Sequence, residues 1–127
     1  MDLNRIIDKI LPNVSKPTRY IGTELNSIHK DKAMINVHIA LAFPDLYEIG
    51  MSHLGIKILY HLLNDQENVF AERVFAPWID LEAMLREKGL PLFSLESRTP
   101  LKSFDFVGFT LQYEMSYSNI INMLDLA

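Results

Sequence analysis

Residues Ile35-Asn36-Val37-His38-Ile39-Ala40-Leu41-Ala42-Phe43 form a nearly continuous apolar run, rich in β-branched side chains and ended by Pro44. Such a run predicts a strand buried on both faces, as in a parallel sheet covered by helices. The period then changes. Over Ile49–Asn64, Met51, Leu54, Ile58 and Leu62 recur at helical spacing, with His53, Lys57, His61 and Asn64 on the opposing polar stripe, which predicts a helix. Val69–Phe75 reads as a second short strand. Pro77 suits a helix start, Trp78, Leu81 and Leu85 mark its inner face, and Gly89 can close it after the basic Arg86 and Lys88. Leu92–Leu95 predicts a short strand, Arg98-Thr99-Pro100 a loop, Phe104–Gln112 another strand, and Ser116–Ala127 a helix.

This order predicts an α/β fold with a doubly wound, mainly parallel sheet of the Rossmann or flavodoxin-like kind. Residues 35–127 carry that pattern, while residues 1–34 read as an N-terminal helix followed by an irregular arm. The helix spans Leu3–Leu11, with Ile6, Ile7, Ile10 and Leu11 on one side and Pro12 as its stop. The arm is expected to pack on the domain. The last helix has no Gly, Pro or basic last turn, and about four strands are visible where doubly wound sheets usually have five or more. The expectation is an N-terminal piece of a longer protein.

Composition narrows the chemistry. The 127 residues include no cysteine, which excludes a disulfide framework, a thiol nucleophile and a cluster ligated within these residues. Residues 1–34 hold six bases and four acids, and residues 35–127 hold six bases and twelve acids. That acidity argues against a nucleic-acid backbone as partner. No apolar stretch reaches the ~18 to 20 residues of a membrane helix, and no basic segment precedes an apolar one at the start. A cytoplasmic location without membrane contact is the expectation.

In an open α/β sheet, ligands bind beyond the carboxyl ends of the strands. Two loops are expected there, Pro44–Gly55 and Thr110–Asn119. Gly50 would let a ligand approach the backbone, and the helix after it offers free N–H groups. Neither a P-loop nor a dinucleotide fingerprint is present.

Asp45-Leu46-Tyr47-Glu48-Ile49-Gly50 resembles the Asp-x-His-x-x-Gly motif of cobalamin-binding domains, whose histidine ligates cobalt. Here Tyr47 holds that position, and a phenol with pKa near ~10 stays protonated at neutral pH, so histidine ligation is not expected. Gly108-Phe109-Thr110-Leu111-Gln112 is similar to the family's Ser-x-Leu region, which makes Thr110 the candidate hydroxyl for the nucleotide tail. The family's later Gly-Gly motif has no counterpart. The strings Lys16–Glu24, Ala42–Gly55, Ala71–Trp78 and Ser94–Pro100 resemble the N-terminal region of large bacterial radical SAM proteins of the cobalamin-binding type, over residues 16 to 127. The resemblance implies a downstream barrel whose Cys-x3-Cys-x2-Cys motif binds a [4Fe-4S] cluster and cleaves S-adenosylmethionine. It also implies cofactor contacts at Asp45, Tyr47, Gly50, Thr110 and Gln112, with no catalytic residue or metal ligand in this chain.

Each of these residues also has a plainer reading. Asp45 can cap the following helix, and Tyr47 can pack at the strand end. His53 and His61 lack the i, i+4 spacing of a helical zinc pair. Trp78 suits the core, Arg98 a loop ion pair, and Tyr113 with Tyr117 either a pocket or the face toward the barrel. Two functions follow. The first is a cobalamin-type cofactor module held against the barrel of the same chain, in a parent protein that is a radical SAM Fe-S oxidoreductase. The second is a docking module that keeps the fold without the cofactor.

Overall fold

The computed structural model describes residues 3–127. Its elements in chain order are α1 (Leu3–Ile10), β1 (Val37–Phe43), α2 (Tyr47–Met51), α3 (Leu54–Asn64), β2 (Val69–Phe75), α4 (Ile79–Lys88), β3 (Phe106–Phe109) and α5 (Ser116–Asp125). Among the described residues, no helix is long and apolar enough to cross a membrane.

The three strands form one parallel sheet in the order β2-β1-β3. Helices flank it on both sides, which is the α/β architecture of Rossmann and flavodoxin-like folds. Alternation along the strands divides the core in two. On one face, Ala40, Ala42 and Val74 pack with Ile7 and Ile10 of α1, Leu81 and Leu85 of α4, and Met123 of α5. On the other, Leu41, Phe43, Ala71 and Phe75 pack under Ile56 and Tyr60 of α3. Burying a side chain such as Leu85 contributes about 1.5–3 kcal/mol. The alanines at 40, 42 and 71, all 0% exposed, leave room for helices on either side of the sheet.

The N-terminal leader belongs to the first of these cores. Ile7, Ile10, Leu11, Val14 and Tyr20 are all buried there. Short 3-10 turns at Leu11–Asn13, Pro17–Tyr20 and Lys32–Met34 break the arm. Lys30 fastens it by donating from Nζ to the carbonyls of Asn64, Gln66 and Val69 at 2.6–2.7 Å.

The structure corrects four local expectations. Trp78 precedes α4 and is 41% exposed under Arg19, rather than on the helix's inner face. The helix over Ile49–Asn64 is two helices, broken at Ser52 and His53, where His53 is extended. Ser52 Oγ donates to the Glu48 carbonyl, a local bond that competes with helix continuation. The break resets the helical phase, so Ile56, Tyr60 and Asn64 face inward, while Leu54, Ile58 and Leu62 are exposed. Leu92–Leu95 is not a strand of the sheet. Phe93 makes one antiparallel bridge to Pro100, and Leu95 N donates to the Arg73 carbonyl at 2.9 Å, so the segment borders β2 as a loop. The strand over Phe104–Gln112 shortens to Phe106–Phe109, with β1 as its only strand neighbour among the described residues.

Gly89 ends α4 at φ 60, the left-handed conformation that glycine adopts at low cost.

Candidate functional site

The chain passes from β1 to β2 on one side and returns across β1 to β3 on the other. The strand order therefore switches between β1 and β3, where an open sheet forms its crevice. A cavity of about 190 Å³ lies at that point, lined by Asp45, Ser52, His53, Gln112, Tyr113 and Ser116 among others.

Two buried polar atoms near it have no partner among the described residues: His53 Nδ1 and Thr110 Oγ1. The Thr110 backbone is fixed by its N–H to the Ala42 carbonyl at 3.2 Å. The His53 ring tilts against Phe43 at 5.3 Å, and its Nε2 is 3.5 Å from Gln112 Nε2. A buried polar atom without a partner costs about 1–3 kcal/mol, so this edge has unused hydrogen-bonding capacity. Ile49 and Tyr113, each about half exposed, are among its lining residues, and Leu111 and Met115 in the loop after β3 are exposed, Met115 at 77%.

The five residues picked out by the resemblance do not converge on one point. Asp45 and Gln112 line the crevice, and Thr110 ends β3 beside it. Asp45 Oδ1 accepts from the N–H of Leu46 at 2.7 Å, and the carbonyl of Asp45 accepts from Ala76 N. Its carboxylate makes a local turn, and α2 starts with no side-chain cap.

Tyr47 packs into the α3-side core, edge-on to Phe75 at 5.5 Å. Its hydroxyl donates to Glu24 Oε1 at 2.5 Å. Burial, with the bond to Glu24 adding to it, pushes the phenol up to about 12. Gly50 is buried beneath Phe75, and a methyl built there would lie 2.1 Å from Phe75 Cε1. Both residues are committed to internal packing.

A second cavity of about 210 Å³ lies between the arm and α3, lined by Glu24, Ser27, Met51, Tyr60, His61 and Arg73 among others. Its main cation is already matched. Arg73 gives Nη2 to Glu24 at 2.8 Å and Nε to Glu96 at 2.5 Å, with its guanidinium 5.0 Å from the Tyr60 ring. Burial alone would lower the Arg73 pKa, but the charge of Glu96 and the bonds to both glutamates hold it above its ordinary value.

These contacts identify residues that pattern reading passed over. Glu72 and Arg73 sit inside an apolar strand, and each points to an opposite face. Glu72, fully buried, accepts from Ser94 Oγ at 2.6 Å and from Ser97 N at 2.9 Å, and lies 2.5 Å from His38 Nε2. Arg73 N and Nε both donate to Glu96. The strings around residues 71–78 and 94–100 are thus two halves of one clamp over the β2 edge. The signal was available as two adjacent charges interrupting a buried strand.

Among the described residues, no three His, Asp or Glu side chains gather as a metal site. In comparison with known protein families, residues 55–127, more than half of the chain, match the family described as radical SAM proteins, N-terminal. No curated protein and no solved structure matches.

Proposed function

Because this chain belongs to the N-terminal family of radical SAM proteins, we propose that it serves as a docking module within such a protein. The surface it presents is the carboxyl-end rim of its sheet, and the occupant is the catalytic barrel of the same polypeptide. One observation carries this reading. Exposed Ile49 and Tyr113 line a crevice beside two buried polar atoms with no partner among the described residues, His53 Nδ1 and Thr110 Oγ1, and exposed Leu111 and Met115 lie in the same loop as Tyr113. An apolar rim around buried polar groups suits a protein interface, with a hydrophobic contact area and a few fixed hydrogen bonds. The cluster and S-adenosylmethionine chemistry belongs to the barrel, since this chain contains no cysteine to bind iron.

A corrin ligated through residue 47 does not fit these residues. The Tyr47 hydroxyl is bonded to Glu24, and Gly50 accommodates the Phe75 ring. The crevice, about 190 Å³, is also smaller than the ~300–1,000 Å³ typical of ligand pockets.

A cobalamin-type module remains the second reading, favoured by one observation. Thr110 Oγ1 is buried without a partner at the position the resemblance assigns to the nucleotide tail.

The full-length protein separates the two. With Leu111→Asp or Met115→Glu, we expect limited proteolysis to release the N-terminal module several-fold faster, while added hydroxocobalamin is lost on gel filtration. Unchanged proteolysis of both variants would overturn docking. Retained corrin, followed by its visible spectrum, would establish the second reading.

A further inference from the structure

We infer that the cavity between the arm and α3 is a binding site for a small ring compound carrying a hydroxyl at one end and an anionic group at the other. The cavity shares no lining residue with the crevice, and the inference does not rest on docking at the rim.

The walls are held by the protein's own bonds. Ser27 N donates to the Glu24 carbonyl at 2.9 Å, which closes the arm into a turn there. Ile28 N donates to the Tyr60 hydroxyl at 2.7 Å, tying that turn to α3. Ile56 and Tyr60 belong to the core beneath. The volume of about 210 Å³ equals that of about seven waters at ~30 Å³ each. It is below the ~300–1,000 Å³ of pockets for drug-sized ligands, and suits a single substituted ring.

Arg73 sets the chemistry of the inner end. Its side chain is only 7% exposed. Nε and Nη2 go to Glu96 and Glu24, but Nη1 has only the thioether of Met51, at 3.2 Å. A thioether is a weak acceptor. Since Arg73 and Met51 both line the cavity, the buried guanidinium keeps a donor there for a ligand oxygen. That oxygen is not an anion's. Two carboxylates already face this one guanidinium, and a third negative charge beside them is disfavoured. Burial would raise the Glu24 pKa, but its bonds from Arg73 and Tyr47 hold it below the ordinary value, so Glu24 is an ionised acceptor at neutral pH. A hydroxyl answers both neighbours, accepting from Arg73 and donating to Glu24.

The outer end has the opposite character. Lys57 and His61 are exposed lining residues on one flank of α3. Lys57 has no ion-pair partner among the described residues, so an anionic group at the mouth meets an unengaged cation. Leu25 of the arm also lines the cavity and is 99% exposed. A leucine held that far out on a fixed turn gains burial when a ring lies against it.

NMR of the full-length protein carrying methyl-labelled methionine tests the inference, with para-hydroxybenzoate as the probe. Met51 touches the Arg73 donor, and Met51→Leu assigns its signal. We expect that signal to shift saturably, with a dissociation constant in the millimolar range or tighter, while Met115 at the rim does not move. Benzoate, which lacks the hydroxyl, should bind at least about fivefold more weakly, because it leaves the inner polar groups unpaired. Lys57→Glu, a change on the exposed side of α3, should weaken para-hydroxybenzoate by at least about fivefold as attraction becomes repulsion. No saturable shift at Met51, or a shift at Met115 in its place, would overturn the inference. So would benzoate binding as tightly as para-hydroxybenzoate, or unchanged affinity in Lys57→Glu.

Discussion

A methyl group at position 50 would lie 2.1 Å from Phe75 Cε1 and 3.2 Å from Phe43 Cδ1, so the absence of a side chain there serves the aromatic core. Gly50→Ala should lower stability by about 1–3 kcal/mol, as overpacking does, measured by denaturant unfolding. Pairing it with Phe75→Leu should recover part of the loss. A glycine kept for ligand approach would show a much smaller stability change. Gly50 is visible in the sequence as a glycine after a strand, which suits either role; only the position of Phe75, 25 residues on, separates them. Tyr47 is similar. Its place after β1 is legible, but its bond to Glu24 depends on the path of an arm that has no periodicity. His53 was legible as a polar residue in a helix. Its place at the carboxyl-end edge is also expected from the Pro44–Gly55 loop and agrees with the crevice lining, whereas the break at Ser52 that ends the helix there is not revealed by a short-range pattern.

At the scale of elements, three carboxylates tie the arm to the domain. Glu24 of the arm bonds Arg73 and Tyr47. Glu48 of α2 accepts from Arg19 of the arm, and Asp80 of α4 accepts from Ser15 N and Oγ. All three pKa values lie below the ordinary 4.5 for Glu and 3.8 for Asp. For Glu24 and Asp80, burial acts the other way and these hydrogen bonds outweigh it. For Glu48, its own backbone N–H leads, against opposing burial and with help from Arg19. A depressed carboxylate stabilises the fold above its unfolded value and loses that contribution as pH falls through its folded value. The arm should therefore loosen below about pH 4 before the sheet opens. An acid-active protease should cut residues 15–32 first on acidification, with far-UV circular dichroism little changed. Sheet and arm lost together at one pH would contradict this. The elements differ in how plainly they could be read. β1, β2, α4 and the closing Gly89 follow from continuous apolar runs and helix signals. The inward face of α3 does not, because the apolar stripe at Leu54, Ile58 and Leu62 is exposed and the buried face includes Asn64, which bonds the Ala71 backbone through both its amide atoms.

At the scale of the whole molecule, the fold class was legible because a parallel sheet announces itself as apolar strands alternating with helices. The clamp over β2 was not, since it joins residues 72–73 to residues 94–99 through side-chain bonds that have no period. The resemblance to radical SAM N-terminal regions rested partly on those same strings, and the contacts give them a structural role: they seal one edge of the sheet. With β2 sealed, the carboxyl-end rim is one exposed apolar surface, and the outer stripe of α3 at Leu54, Ile58 and Leu62 is another. In the proposed arrangement the rim faces the barrel of the same polypeptide. A photoreactive benzoylphenylalanine placed at position 115 of the full-length protein, irradiated, with the cross-links mapped by mass spectrometry, tests this arrangement. Dominant intramolecular cross-links from position 115 to residues of the catalytic barrel are expected. Cross-links confined to residues 1–127, or formed only between separate molecules, would contradict it.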